Sequence, residues 1–61
     1  MSRTEIRVIE LLAEGLDSTA VANTMFISPH TVRVHRKNIL KKLDCSNMVE
    51  VIKKVMIDGL I

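Results

Sequence analysis

Arg33, Lys37 and Lys41 stand four residues apart in the stretch SPHTVRVHRKNILKKL, residues 28–43. With Arg36 and Lys42, this stretch holds five of the chain's nine Lys and Arg residues and none of its seven acids. On a helix of about 100° per residue, a spacing of four puts cations on one side. Helix stability alone would favour Glu placed to support Lys at i,i+4, whereas here the cations repel one another. An acid-free cationic face suits a polyanion. An arginine fork in such a face matches the O6 and N7 acceptors of guanine in a DNA major groove. An ordinary solvated basic face explains the charge nearly as well, because such faces are common.

Other reactive side chains do not assemble into a site. His30 and His35 are five apart, an awkward spacing for two ligands on one helix face, and Cys45 is the only cysteine. Neither a metal site nor a disulfide is expected. Cys45 reads as a small buried hydrophobe and His35 as a packed or hydrogen-bonded structural residue. Ser2, Thr4 and Ser28 lack an Asp–His companion at useful spacing, and 61 residues leave little room for a catalytic cleft. No enzymatic activity, cofactor or small-molecule ligand is expected. The single Phe, with no Trp or Tyr, weakens any case for stacking on single-stranded bases.

The elements that position the basic stretch follow from periodicity and punctuation. The 48% apolar content predicts one packed, aliphatic domain over residues 1–61. No apolar run reaches the roughly 18 residues of a membrane span, and the start lacks a signal-peptide core, so the expected location is cytoplasmic. Ser2 and Glu5 have capping-box spacing, Val8, Ile9, Leu12, Ala13 and Leu16 form a helical stripe, and Gly15 is a stop. Asp17 or Ser18 caps a short second helix with Val21, Ala22 and Met25 on one side. "FIS" is a tight turn. Ser28 then caps a third helix, with Pro29 in its first position, that runs to about Leu43. Asp44 tolerates left-handed geometry, and Ser46 or Asn47 caps a fourth helix from Met48 to about Asp58, ended by Gly59. The fold expected is all-α: four helices, a three-helix core, and a helix-turn-helix formed by the second and third.

Wheel geometry divides the third helix. Val32, Ile39, Leu43 and, at the margin, Leu40 face the core. His30, Arg33, Val34, Lys37 and Lys41 lie opposite. Thr31, His35, Asn38 and Lys42 follow one flank, and Arg36 lies beside the apolar stripe on the other. Arg33 and Lys37 suit base edges, with Val34 between them for a thymine methyl. Lys41, Thr31 and Ser28, with the helix N-terminus and His30, suit backbone oxygens. On the fourth helix Met48, Val51, Ile52 and Val55 cover the core. Val49 and Met56 widen that stripe, Ile57 lies farther round, and Lys53 rims it. This excess reads either as a broad buried face or as a dimer interface.

The order of residues adds a resemblance. TVRVHRKNILKKL resembles the recognition-helix signature of LuxR/FixJ-type (GerE-like) helix-turn-helix domains: Thr-Val-Lys/Arg, a spaced His, Asn-Ile, then Lys-Leu. EIRVIELLAEGL resembles that family's opening helix, VANTMFIS its second helix and turn, and DGLI its close, so the likeness covers essentially the whole chain. It implies the DNA-binding output domain of a response regulator or LuxR-type regulator. It also implies double-stranded DNA as partner, a homodimer through the fourth helix at Val49, Ile52, Lys53 and Met56, and RNA polymerase as a candidate partner. The family's base-reading positions map onto Arg33, Val34 and Lys37, and its backbone contacts onto Thr31 and Lys41. The chain departs from the pattern at Thr4, Thr19, Ala20, Asp44 and Met48. At Thr19 a usual lysine is reduced to a hydroxyl contact with the backbone. The competing reading is a helical protein-interaction module whose basic face meets an acidic partner.

Overall fold

In the computed structural model, which describes residues 1–59, the chain forms α1 (Arg3–Ala13), α2 (Ser18–Met25), α3 (Pro29–Leu43) and α4 (Met48–Ile57). No strand occurs among the described residues, and none of their helices is long and apolar enough to cross a membrane. Local chemistry sets each helix start. The Glu5 amide donates to Ser2 Oγ at 3.2 Å, and the Ser2 amide donates to Glu5 Oε1 at 3.0 Å, which closes the capping box. Asp17, not Ser18, caps α2 by accepting from the Ala20 amide at 2.8 Å. Ser28 caps α3 by accepting from the Thr31 amide at 3.1 Å, with Pro29 beside it where a missing amide is harmless. Asn47, not Ser46, caps α4 by accepting from the Glu50 amide at 3.0 Å.

The helix ends use left-handed backbone. Gly15 (φ 97°) follows α1, as its position in the sequence predicts, and Asp44 (φ 53°) ends α3. The end of α2 is different: Phe26 takes φ 58°, ψ 41°. A left-handed residue with a side chain costs roughly 1–2 kcal/mol, and the ring, 95% exposed, recovers nothing by burial. The tight turn expected at FIS is present, but nothing in the local sequence marks an aromatic residue for the conformation usually left to Gly. Gly59 (φ 74°) follows α4, while Leu60 and Ile61, which close the DGLI match, lie outside the described residues.

The core draws on every helix: Val8, Ile9 and Leu11 from α1, Val21 and Ala22 from α2, Val32 and Ile39 from α3, and Met48, Val51 and Val55 from α4. One part of the predicted stripe is corrected. Leu11 is buried and Ala13 is exposed. α1 touches all three other helices, so its buried arc is wide, running from Leu11 through Val8 and Leu12 to Ile9, about 160°. Ala13 lies about 40° past that arc. Cys45 is half-buried rather than buried, with its Sγ donating to the Leu43 carbonyl at 3.4 Å.

Glu5 lies within the buried arc and is itself only 5% exposed. It is held there by Lys42, whose Nζ donates to Glu5 Oε1 at 2.8 Å, and by the Ser2 amide and hydroxyl. The Lys42 bond, then the Ser2 backbone bond, outweigh burial and bring the carboxyl from its ordinary 4.5 down to about 2. A carboxyl whose pKa is lower folded than unfolded stabilises fully above about pH 4.5. That contribution disappears as pH falls from there towards about 2. Lys42 is half-exposed, so solvent screens the pair, and the contribution is on the order of 1–2 kcal/mol. Glu5→Gln, which keeps a capping side chain but no charge, is expected to lower stability at pH 7 by that amount. It should also flatten the acid limb of a urea-midpoint profile between pH 4.5 and pH 2. A variant profile parallel to wild type over that range would show that the pair does not couple to folding.

Candidate nucleic-acid interface

α3 has two faces with opposite fates. Val32 and Ile39 are fully buried, Leu40 and Leu43 are half-buried against the core, and Arg33, Val34, Lys37 and Lys41 are exposed. Arg33 and Lys37 are neighbours at i and i+4, and Val34, 43% exposed, lies beside Lys37 at i−3, so the three form one patch with the valine at its edge rather than between the cations. A helix of fifteen residues is about 22 Å long, and its diameter fits a groove about 12 Å wide.

Among the five cations of 28–43, two are tied back to the domain. Lys42 pairs with Glu5 of α1, and Arg36, half-buried, donates from Nη1 to Ser18 Oγ of α2. Arg33, Lys37 and Lys41 make no ion pair or side-chain hydrogen bond among the described residues. The positive charge open to a polyanion is therefore narrower than the sequence count suggests, and it lies along the face opposite Ile39. The wheel sets Arg36 and Lys42 off the opposite face, but local spacing carries no sign of what holds them, because their acceptors lie eighteen and thirty-seven residues away.

The start of α3 supplies polar groups beside the patch. Ser28 and Thr31 hydroxyls bond each other at 2.8 Å while Ser28 Oγ also accepts the Thr31 amide. One hydroxyl proton of the pair is used in the mutual bond, which leaves one to donate outward. The Val32 amide donates to the Ser28 carbonyl, so of the first-turn amides only that of His30 lacks a bond among the described residues. His30 is exposed, His35 half-buried. Thr19 is exposed on the first turn of α2, next to the capping carboxylate of Asp17. That carboxylate meets the positive end of α2 from within the chain, so Thr19 offers a hydroxyl beside a negative charge.

α4 turns Met48, Val51 and Val55 into the core and leaves Val49 (62%) and Met56 (64%) exposed. Lys53 is also exposed, and Ile52 is half-buried against the core. The positions 49, 52, 53 and 56 fall on one side of the helix, so the four candidate interface residues share a face even though Ile52 already has packing partners. Ile57, 83% exposed, lies farther round.

Residues 1–55 match the model of the GerE family, bacterial regulatory proteins of the luxR family. The chain belongs to this family. It is 41% identical over 59 residues to the transcriptional regulatory protein UhpA of Escherichia coli, covering 97% of this chain and 30% of that protein. It is 32% identical over 59 residues to the transcriptional regulatory protein FixJ of Azorhizobium caulinodans, covering 97% and 28%. With the DNA-binding transcriptional activator EvgA of Escherichia coli it shares 32% over 50 residues, covering 82% and 24%. The luxR-family chain thus spans less than a third of the length of these relatives. In this luxR-family domain the departures at Thr19 and Ala20 have a local consequence. Ala20 stands where a longer acidic side chain would reach back to the cap, so Asp17 holds α2 alone.

Proposed function

We propose that this luxR-family domain binds double-stranded DNA sequence-specifically in transcriptional regulation, with α3 lying in the major groove. The observation that carries the reading is the patch of Arg33, Val34 and Lys37, exposed on the side of α3 away from Val32 and Ile39. Arg33 reads a guanine edge, Val34 meets a thymine methyl, and Lys37 reaches a base edge or a phosphate one turn on. Lys41 neutralises backbone charge farther along. The free hydroxyl proton of the Ser28–Thr31 pair and the open amide of His30 set the start of the helix against phosphate. Thr19 adds little, because Asp17 lies beside it. The family match and the likeness to EvgA, a DNA-binding transcriptional activator, support this reading.

On DNA, two copies pair through Val49, Ile52, Lys53 and Met56 of α4. The exposed apolar pair Val49 and Met56 supplies the burial, and Lys53 sits at the rim. Selection from random duplexes tests both parts. Enrichment of one sequence motif is expected, repeated at a spacing set by the two-fold of the dimer. Retention of acidic ligands with no duplex sequence preferred over scrambled DNA would instead mark a basic protein-interaction module.

A further inference from the structure

We infer that Arg36 is a positioning residue which sets the angle between α2 and α3, and thereby the discrimination between DNA sequences. The inference rests on the DNA-binding reading above. Three side-chain hydrogen bonds between helices occur among the described residues, and each joins α3 to a different helix. Lys42 binds Glu5 of α1, Lys54 of α4 donates to the carbonyl of Leu43 at the end of α3, and Arg36 binds Ser18 of α2. The Arg36 bond gains less from electrostatics than the Lys42–Glu5 pair. Its acceptor is a neutral hydroxyl rather than the neighbouring Asp17, and it brings a cation to the positive end of α2.

Its geometry is more informative. α2 is only eight residues, about 12 Å long. Its C-terminal end is fixed to α3 by the short turn through Phe26 and Ile27. The Arg36–Ser18 bond fixes its other end to the middle of α3. Between these two attachments α2 packs through Val21 and Ala22, which are fully buried, and through Met25 against the core. A guanidinium is planar and directional, so it adds an orientational restraint to that apolar packing. Base contacts come from α3, and in a helix-turn-helix the preceding helix crosses the backbone. The angle between the two helices decides whether both fit one register on the duplex.

The test compares Arg36→Met and Ser18→Ala with wild type, measuring affinity for the selected duplex and a scrambled one across salt concentrations. Ser18→Ala removes only the acceptor and leaves the Asp17 cap intact. Both variants are expected to lower the ratio of specific to scrambled affinity by roughly tenfold, and the double variant by no more than either alone. Ser18→Ala should leave the salt slope unchanged. If Ser18→Ala is silent while Arg36→Met reduces the slope by about 0.9, the guanidinium is a direct phosphate contact and the inference is wrong. Lower melting temperatures with unchanged discrimination would overturn it in favour of a purely structural bond. Failure of wild type to prefer any duplex would bring down the DNA-binding reading itself, before any variant is compared.

Discussion

Arg33→Ala is expected to weaken binding to the selected duplex by about 1–3 kcal/mol, roughly five- to 150-fold, and to relax preference at one base position. Arg33 is exposed and makes no bond within the domain among the described residues, so its removal leaves no partner stranded in the free protein. The full effect falls on the complex. There a guanine edge desolvated by the helix would lose both donors of the fork, and the penalty for unpaired polar groups adds to the lost bonds. Lys41→Ala provides the contrast. It should lower affinity for selected and scrambled duplexes alike and reduce the salt slope by about 0.9. Equal losses from both variants on both duplexes would mean that Arg33 also contacts only phosphate. Unchanged affinity in Arg33→Ala and Lys37→Ala together would remove α3 from the groove.

The largest expected effect on folding is that of Ile39→Ala. Ile39 is fully buried on α3, opposite the basic patch. Truncation of a buried Ile to Ala costs about 2–5 kcal/mol, from lost transfer energy and from the cavity that remains. A folded domain of 61 residues has a total stability of about 3–9 kcal/mol, so this one change removes about half of it at mid-range values and all of it at the low end. Urea unfolding followed by circular dichroism should show a far lower midpoint for Ile39→Ala than for Ile39→Val, which costs about 0.5–1.5 kcal/mol. Equal midpoints for the two variants would mean that the core repacks around the gap. The consequence for the site is direct. The residue that anchors α3 lies across the helix from Arg33 and Lys37, so loss of the anchor removes the basic face as a surface.

Much of the architecture was legible because its causes are local. A capping box needs only residues three apart, and both Ser2–Glu5 and the Ser28–Pro29 start are readable by spacing. The two faces of α3 follow from a fixed rotation per residue, which is why Val32 and Ile39 separate from Arg33 and Lys37 on a wheel as they do in space. Where two neighbouring residues compete for a cap, as with Asp17 and Ser18 or Ser46 and Asn47, spacing alone gives no preference. The outcome depends on which oxygen faces the third amide. The buried arc of α1 was misplaced by one side chain for a different reason. Periodicity gives its direction, but its width depends on how many helices surround it.

The amino-acid sequence by itself determined four helices, their limits to within a residue or two, the direction of the apolar side of each, and a cationic side on the third, since these arise from interactions within about four residues. The wheel already set Arg36 and Lys42 off the opposite face. The tertiary structure decided what engages them: Lys42 neutralises a buried Glu5 and Arg36 ties down Ser18. It also decided that Glu5, readable as a cap, is a buried charge, and that Phe26 stands in solvent with left-handed backbone. These outcomes depend on where three other helices pass. Contacts between residues eighteen or thirty-seven positions apart are fixed by the packing of the whole core, on which no local spacing carries information.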